Sequence, residues 1–462
     1  MNPKTTIVAA LLLTALGAYI YFYEREPVED TDSEEVELFE LELEDFREIE
    51  IRRTEGENLK VTKDNDSWRI FEPIEAPADT TEVESLARNI AELERGRYVA
   101  EGEDIDLDEF GLTEPELQVH FEVEGAETST GLLLGDETPT GSNRYAKLSN
   151  ENKVFVIASH LKGSLDKKPW DLRDKKVLHF DTDLVERLSL KGPENEVILA
   201  KVSEDLWNVT TPSFCRADRY KASSLVSRFE TAKMEEIVSG SVDELAAFGL
   251  DPAAYEVDIQ LKGGERVRLQ IGNEKDGKYY ARDLDRSLVF LVASSLVDDI
   301  KKDASEYRSK RLFDYATYQV AKFQIATAAE PDRIYEKVKE GEDENVQWVE
   351  TAPESREWDR TIVEDLLYKI NGTDAEDLIE VTDGDLTPFG LAPPTYVITV
   401  WHEEEEAVEE VAIGKPEGDT VYAHRKGDEP ILEVQASKWE EIEKLMGFER
   451  EEPEKEQEEP DS

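Results

Sequence analysis

The groups of this 462-residue chain that could do chemistry are five histidines, one cysteine and 109 acidic residues. Zinc ligation from a helix calls for two histidines on one face, spaced His-x3-His, and His120, His160, His179, His402 and His424 form no such pair. They are scattered, with only His120 and His402 on similar strands, and read as surface or strand histidines. Cys215 stands alone, which excludes an intramolecular disulfide and a cysteine zinc cage. It lies between Pro212 and Asp218 on a connecting loop with Arg216 as its basic neighbour, so the thiol reads as incidental rather than nucleophilic. Asp104, Asp106 and Asp108 alternate like the start of a calcium loop. Glu109 then stands where that loop needs Gly and Pro115 where it needs its closing Glu, so the run reads as a solvated acidic turn. The chain has no Gly-x4-Gly-Lys-Ser/Thr, no Gly-x-Gly-x-x-Gly after a strand and no Gly-x-Ser-x-Gly elbow. Carboxylates are so abundant that their proximity carries no weight for a glycosidase. No catalytic, cofactor-binding or metal-binding residue is assigned, and a transporter served by this chain would take its ATPase from another chain.

The balance of charge narrows the classes further. There are 54 basic residues, for a formal net charge of −55, and no basic face for a phosphate backbone, which excludes nucleic acid as a partner. At 39% hydrophobic residues the chain has material for packed cores and is not a wholly disordered acidic polymer. Its length suggests about three domains at roughly 150 residues each. So large a carboxylate excess repels itself and is relieved by salt, consistent with a saline habitat.

The elements that would position any site come as a repeat. Trp68, Trp207 and Trp348 each open the pattern Trp-x4-Pro-x5-Asp, completed by Pro73 and Asp79, Pro212 and Asp218, Pro353 and Asp359. Next come Phe110-Gly111-Leu112, Phe248-Gly249-Leu250 and Phe389-Gly390-Leu391, each followed by a proline. Then follow a strand ending at Gly135, Gly272 or Gly414, and a Tyr-Ala-basic strand at Tyr145, Tyr280 or Tyr422. The Asp is expected to cap a helix, with Asp79 and Glu82 as a capping box. Helical periodicity follows it: Val83, Leu86, Ala87 and Ile90 recur as Ala222, Leu225, Val226 and Phe229, and again as Val363, Leu366, Leu367 and Ile370. The Pro fixes the connection from the Trp strand, whose ring packs on the helix. The Gly of Phe-Gly-Leu is expected at positive φ, letting Phe and Leu both point inward. Tyr on a strand reads as half-buried packing, with the basic residue on the wet face. Each unit reads β-β-β-α-β-β-β-β-α, with a weak closing helix in the first that Pro169 must break. The fold class is α+β: three tandem units of mostly antiparallel sheet with packed helices, at residues 39–178, 179–312 and 313–449.

The N-terminus indicates location. Residues 5–23 form a nearly unbroken apolar stretch of about 28 Å as a helix, enough to span the hydrocarbon layer. Lys4 precedes it and acidic residues follow, so residues 1–4 are expected in the cytoplasm and the bulk of the chain outside it. A cleaved signal peptide is the competing reading, with Ala15-Leu16-Gly17 at the right offset, but the stretch stays apolar beyond it. The segment has no cysteine to acylate, so it is not a lipoprotein signal. Residues 24–38 read as an extended acidic linker and residues 450–462 as an acidic, disordered tail.

The apolar anchor and the ordered set of Trp-x4-Pro-x5-Asp, Phe-Gly-Leu, strand-Gly and Tyr-Ala-basic elements resemble the bacterial domain-of-unknown-function family 4340. The resemblance covers almost everything beyond residue 38; Trp358 and Glu433 make the third copy depart most. It implies a single-pass protein of the bacterial inner membrane with its bulk periplasmic or extracytoplasmic, no catalytic residues, and an accessory role beside ABC-type transporter subunits of a gliding-motility-like system. An envelope protein binding polysaccharide or peptide is the alternative, and a carboxylate hydrolase the third.

Overall fold

The computed structural model describes residues 36–447, apart from residues 66, 127, 205, 242–243, 341–344, 382–383 and 403–407. The expected anchor at 5–23, the linker before Val36 and the tail at 450–462 lie outside the described residues. Among the described residues no helix is long and apolar enough to cross a membrane. The chain divides into two compact units, one ending at Lys175 and the other beginning at Lys176.

The first unit holds one repeat. Its strands are β1 (Val36–Glu37), β2 (Phe46–Arg53), β3 (Leu59–Asp64), β4 (Ser67–Glu72), β5 (Ala76–Pro77), β6 (Glu94–Arg95), β7 (Tyr98–Glu101), β8 (Leu117–Val123), β9 (Thr130–Glu137), β10 (Asn143–Leu148) and β11 (Lys153–Ala158). Nine of them make an antiparallel sheet in the order β5-β4-β3-β2-β8-β9-β10-β11-β7. Helix α1 (Thr80–Ala91) leaves the β5 edge and delivers the chain towards the β7 edge, so it crosses one face of the sheet. Alternation decides that face. Ile49, Ile51, Leu59, Val61, Leu117 and Val119 point at Val83, Leu86 and Ile90, and all are sealed from solvent. Each such side chain contributes about 1.5–3 kcal/mol by leaving water. Two short helices, α2 (Leu161–Leu165) and α3 (Pro169–Leu172), close the repeat, with Pro169 opening the second.

The second unit holds two more copies. The middle repeat comprises β12 (Val185–Lys191), β13 (Glu196–Lys201), β14 (Trp207–Thr211), β15 (Cys215–Arg216), α4 (Arg219–Thr231), β16 (Glu236–Ser239), β17 (Tyr255–Leu261), β18 (Arg266–Lys275), β19 (Lys278–Asp283), β20 (Val289–Ala293) and α5 (Ser294–Lys301). The last comprises β21 (Val320–Thr327), β22 (Arg333–Glu340), β23 (Asn345–Ala352), β24 (Arg356–Trp358), α6 (Arg360–Asn371), β25 (Asp377–Ile379), β26 (Tyr396–His402), β27 (Val408–Ile413), β28 (Thr420–Arg425), β29 (Ile431–Gln435) and α7 (Ala436–Gly447). Both sheets repeat the first strand order, each around its own core.

Three details differ from the expected string. Each repeat has a further short strand between the Trp strand and the helix, and another after the helix. Each also opens earlier than expected. Val36 and Glu37, expected in the linker, pair with Arg95 and Glu94, and the chain bridges again at Lys176 to Lys233 and at Arg311 to Asp374. The backbone N–H of Leu38, Val177 and Leu312 donates to the carbonyl of Leu93, Ala232 and Thr373 at 2.8, 2.8 and 3.2 Å. Leu178 and Leu312, placed from the sequence at the ends of units, therefore fill the core of the repeat that follows. Finally, Asp79 caps α1 without a capping box: its carboxylate accepts from the N–H of Thr81 and Glu82, while its own N–H donates to Leu172.

Candidate functional site

The repeat anchors gather on opposite faces of each sheet. On the helix side, Trp68, Trp207 and Trp348 are buried in their cores. Asp79, Asp218 and Asp359 each accept first-turn N–H bonds, at 3.0, 3.0 and 2.8 Å for the closest. Pro73, Pro212 and Pro353 follow cis peptide bonds in the intervening turns.

On the other face lies a second cluster that sequence reasoning did not assemble. A 3-10 turn brings Phe110, Phe248 and Phe389 to Gly111, Gly249 and Gly390, all at positive φ of 64–69°. Leu112, Leu250 and Leu391 are buried, as expected. The phenylalanines are not in the core: half-buried, they meet Tyr145, Tyr280 and Tyr422 with ring centroids 5.0, 5.0 and 5.2 Å apart. Gly135, Gly272 and Gly414 explain why. A Cβ at any of the three would overlap the carbonyl oxygen of that phenylalanine, so the strand must be bare where the turn lies on it. Nor do the first two strands end there, since β9 and β18 run past Gly135 and Gly272. Lys147, expected on the wet face, is buried and donates to the carbonyls of Leu148 and Glu151 at 3.0 and 2.6 Å. Burial pulls its pKa down.

A largely buried ionic assembly welds the middle repeat to the last. The segment from Ser213 to Arg216, which includes β15, lies on β27 and on the β28–β29 turn. Phe214 and Glu429 exchange bonds, and the Arg216 N–H donates to Asp428 at 3.2 Å. The Arg216 guanidinium pairs with Glu409 at 2.8 Å, and Arg308 pairs with Glu380 and donates to Ser213. Arg425 is bracketed by Asp428 at 2.7 Å and donates to the carbonyls of Arg311 and Ser309 at 2.6 and 3.0 Å. The middle repeat holds its own leading segment the same way with the charges exchanged. Arg286 pairs with Asp283 at 2.8 Å and donates to the carbonyls of Lys176 and Val177. In each case an arginine supplies several donors in a rigid fork to backbone carbonyls at a joint.

Electrostatics in this weld favour structure over turnover. Burial pushes up the Glu409 carboxyl, but the His402 bond, the Arg216 charge and the Asp314 N–H outweigh it and bring it down to about 2. Cys215 sits on the two-residue strand β15 and not on an open loop. Burial, then the Asp428 charge, push its thiol up to about 12, so it is held protonated and unreactive. Asp106 caps the 3-10 turn before Gly111, its carboxylate accepting from Asp108 N–H at 3.2 Å. His120 is half-buried beside Gln118, with its pKa lowered by burial and then by Arg52. His424 bonds the Asp428 carbonyl at 2.8 Å. Among the described residues no three His, Cys, Asp or Glu side chains are grouped to hold a metal.

The departures of the last copy also have a place. Trp358 stands where the other repeats have Ala78 and Ala217, which bridge to Arg173 and Arg308. Its indole N–H donates to buried Glu350 at 2.8 Å, and Glu350 also pairs with Arg333. Glu433 accepts from the Thr420 hydroxyl at 3.3 Å.

Open clefts flank the weld and occur in the first repeat. One of about 430 Å³ runs between α4 and residues 299–307; one of about 280 Å³ lies at the start of α4 against residues 308–314. A third, of about 420 Å³, lies in the first repeat and is lined by Arg53, Thr54, Glu55, Glu114, Glu116 and Asp166.

No curated protein and no solved structure matches this chain. The family described as Domain of unknown function (DUF4340) matches three segments, residues 68–209, 207–347 and 348–446. These are out of phase with the sheets: each starts in or beside a Trp strand and, for the first two, runs on into the opening strands of the next repeat. Covering most of the sequence in tandem, they make this chain a member of the DUF4340 family with three copies of the domain.

Proposed function

We propose that the chain is a non-enzymatic scaffold or accessory protein of the bacterial envelope. In this reading residues 5–23 anchor it in the inner membrane, the three repeats lie outside the cytoplasm, and the partners are subunits of an ABC-type, gliding-motility-like transport complex. The observation that supports it most is the use made of buried charge. Arg216, Arg308, Arg425, Glu409 and Asp428 are committed to one another and to joint carbonyls, fixing one repeat against the next. A catalytic site keeps such groups facing a reactant; a scaffold spends them on rigidity.

The test is a pull-down. The C-terminally tagged chain is extracted in mild detergent and its partners identified by mass spectrometry, with a variant lacking residues 1–23 as control. Recovery of an ATP-binding protein and its membrane subunits with the full chain is the expected result. A preparation free of partners would overturn the transport association. The clefts beside α4 also favour ligand binding, which would appear as a peptide- or polysaccharide-dependent rise in melting temperature.

A further inference from the structure

We propose that the exposed face of α4 is a docking surface for an acidic stretch of a partner polypeptide. The two clefts beside α4 share Tyr220 and Lys221 and so follow one helix face. Their combined lining has seven basic and five acidic residues, in a chain with 54 basic and 109 acidic. The local balance is therefore basic, with Arg219, Arg228, Lys302, Arg308 and Arg311 held by carboxylates and Lys221 left as the cation without an ion pair among the described residues of α4.

The residues are not needed by the fold. Where α4 has Tyr220, Lys221 and Ser224, α1 has Thr81, Glu82 and Ser85, and α6 has Thr361, Ile362 and Asp365. All three helices bury the same four positions. Tyr220 is 72% exposed, with the Arg219 guanidinium 5.8 Å from its ring centroid. Lys221 makes no ion pair among the described residues. Along the groove, buried Asp299 takes both Arg228 at 2.5 Å and Lys302 at 2.6 Å, two cations on one carboxylate, which leaves positive charge at the rim.

The occupant follows from this chemistry. Tyrosine and arginine are the side chains that carry protein interfaces, and complementary charge guides the encounter and sets register. The helix has 13 residues, about 20 Å, which an extended peptide spans with about six residues. The groove offers mainly donors, from Lys221, Ser224, Arg228 and Lys302. Neutral sugars need acceptors in similar number, whereas carboxylates need only donors. With a net charge of −55 over the whole chain, an acidic segment is disfavoured on most of the surface and least so along this face, so position as well as affinity is specified.

The experiment titrates the full-length protein, in detergent, against a fluorescein-labelled oligoglutamate peptide containing tyrosine and follows anisotropy. Lys221→Glu is expected to raise Kd about tenfold and Tyr220→Ala several-fold, with binding weakening as salt rises. Lys415→Glu, an exposed change far from α4 in sequence, is expected to leave Kd unchanged, and all variants to melt with the parent. Equal loss in Lys415→Glu would mean that net charge alone is at work and would overturn the proposal. So would tight, Lys221-dependent binding of polygalacturonate with no binding of the peptide. The inference rests on the scaffold reading only for its need of a partner. Peptide binding without transporter subunits in the pull-down sinks that reading alone, and the converse sinks this one alone.

Discussion

The acidic cleft of the first repeat and the basic groove of the middle repeat have nearly the same size, about 420 and 430 Å³, and opposite sign. Their charges are in different states. In the acidic cleft Asp166 is held by Arg53 at 2.7 Å, and Glu116 is shared between Lys162 and Arg144. The Lys162 bond, ahead of burial, keeps the Glu116 carboxyl below its usual range. In the basic groove Asp299 holds Arg228 and Lys302, while Lys221 makes no ion pair among the described residues and Tyr220 is largely exposed beside Arg219. Paired charge in both clefts belongs to the fold; what remains among the described residues is negative in the first, from Glu55 and Glu114, and positive in the second, from Lys221, so the two differ in the sign they offer a second molecule.

The same distinction separates the first repeat from the weld in the second unit. Two places after the Ala of the Tyr-Ala-basic element, the first repeat has apolar Leu148, the middle one Asp283 and the last Arg425. Arg425→Leu, which imitates the first repeat, leaves Asp428 buried without its cation. The expected loss is about 3–5 kcal/mol in chemical denaturation. Arg425→Leu with Asp428→Leu is expected to recover most of that loss, since removing both charges removes the desolvation cost. Equal stability for the single and double variants would mean that the pair does not define the weld.

Trp358→Ala is the next largest effect, about 3 kcal/mol, because it opens a cavity and removes one of two partners of buried Glu350. The alanines at the corresponding places, Ala78 and Ala217, show that the role is special to the last repeat. A loss under 1 kcal/mol on thermal unfolding would refute the account given for Trp358.

Why some of this was legible in the sequence and some was not follows from distance along the chain. The helix faces repeat every three or four residues, and Asp79, Asp218 and Asp359 act within three residues of themselves, so periodicity and caps show directly. Phe110 and Gly135 belong together only because a turn folds onto a strand 25 residues on. The repeat displays both motifs without saying that one is the reason for the other. Strand β1 has two residues, too few for a period, so the phase of the repeat was set three residues late. Arg425 and Asp428 looked like two charges among many, and only burial marks them out. Tyr220 and Lys221 occupied outward positions of an amphipathic helix, where sequence alone predicts nothing but solvent.

Acid should open the weld before it opens the first repeat's helix packing. The Glu409 carboxyl falls from 4.5 in the unfolded chain to about 2 when folded, so its contribution is complete above pH 4.5 and is lost as pH drops towards 2. The amount is on the order of 3 kcal/mol. Glu409→Gln should lower stability at neutral pH and flatten the profile between pH 4.5 and 2. An unchanged slope in that window, read by urea midpoints at each pH, would assign the acid sensitivity to other carboxylates.

The caps provide the smallest and most local comparison. Asp218 accepts from the N–H groups of Tyr220 and Lys221, at 3.0 and 3.1 Å, and Asp359 accepts from that of Thr361 at 2.8 Å. Asp218→Ala and Asp359→Ala are each expected to cost about 1 kcal/mol. The Asp218 cap has a second consequence, because its N–H bonds to Tyr220 and Lys221 fix the first turn of α4 on which both residues stand. Asp218→Ala should therefore weaken oligoglutamate binding by more than its stability loss accounts for. Asp359→Ala should not touch binding at all. If both variants lose affinity equally, the groove is sensing global stability rather than the geometry of its own helix.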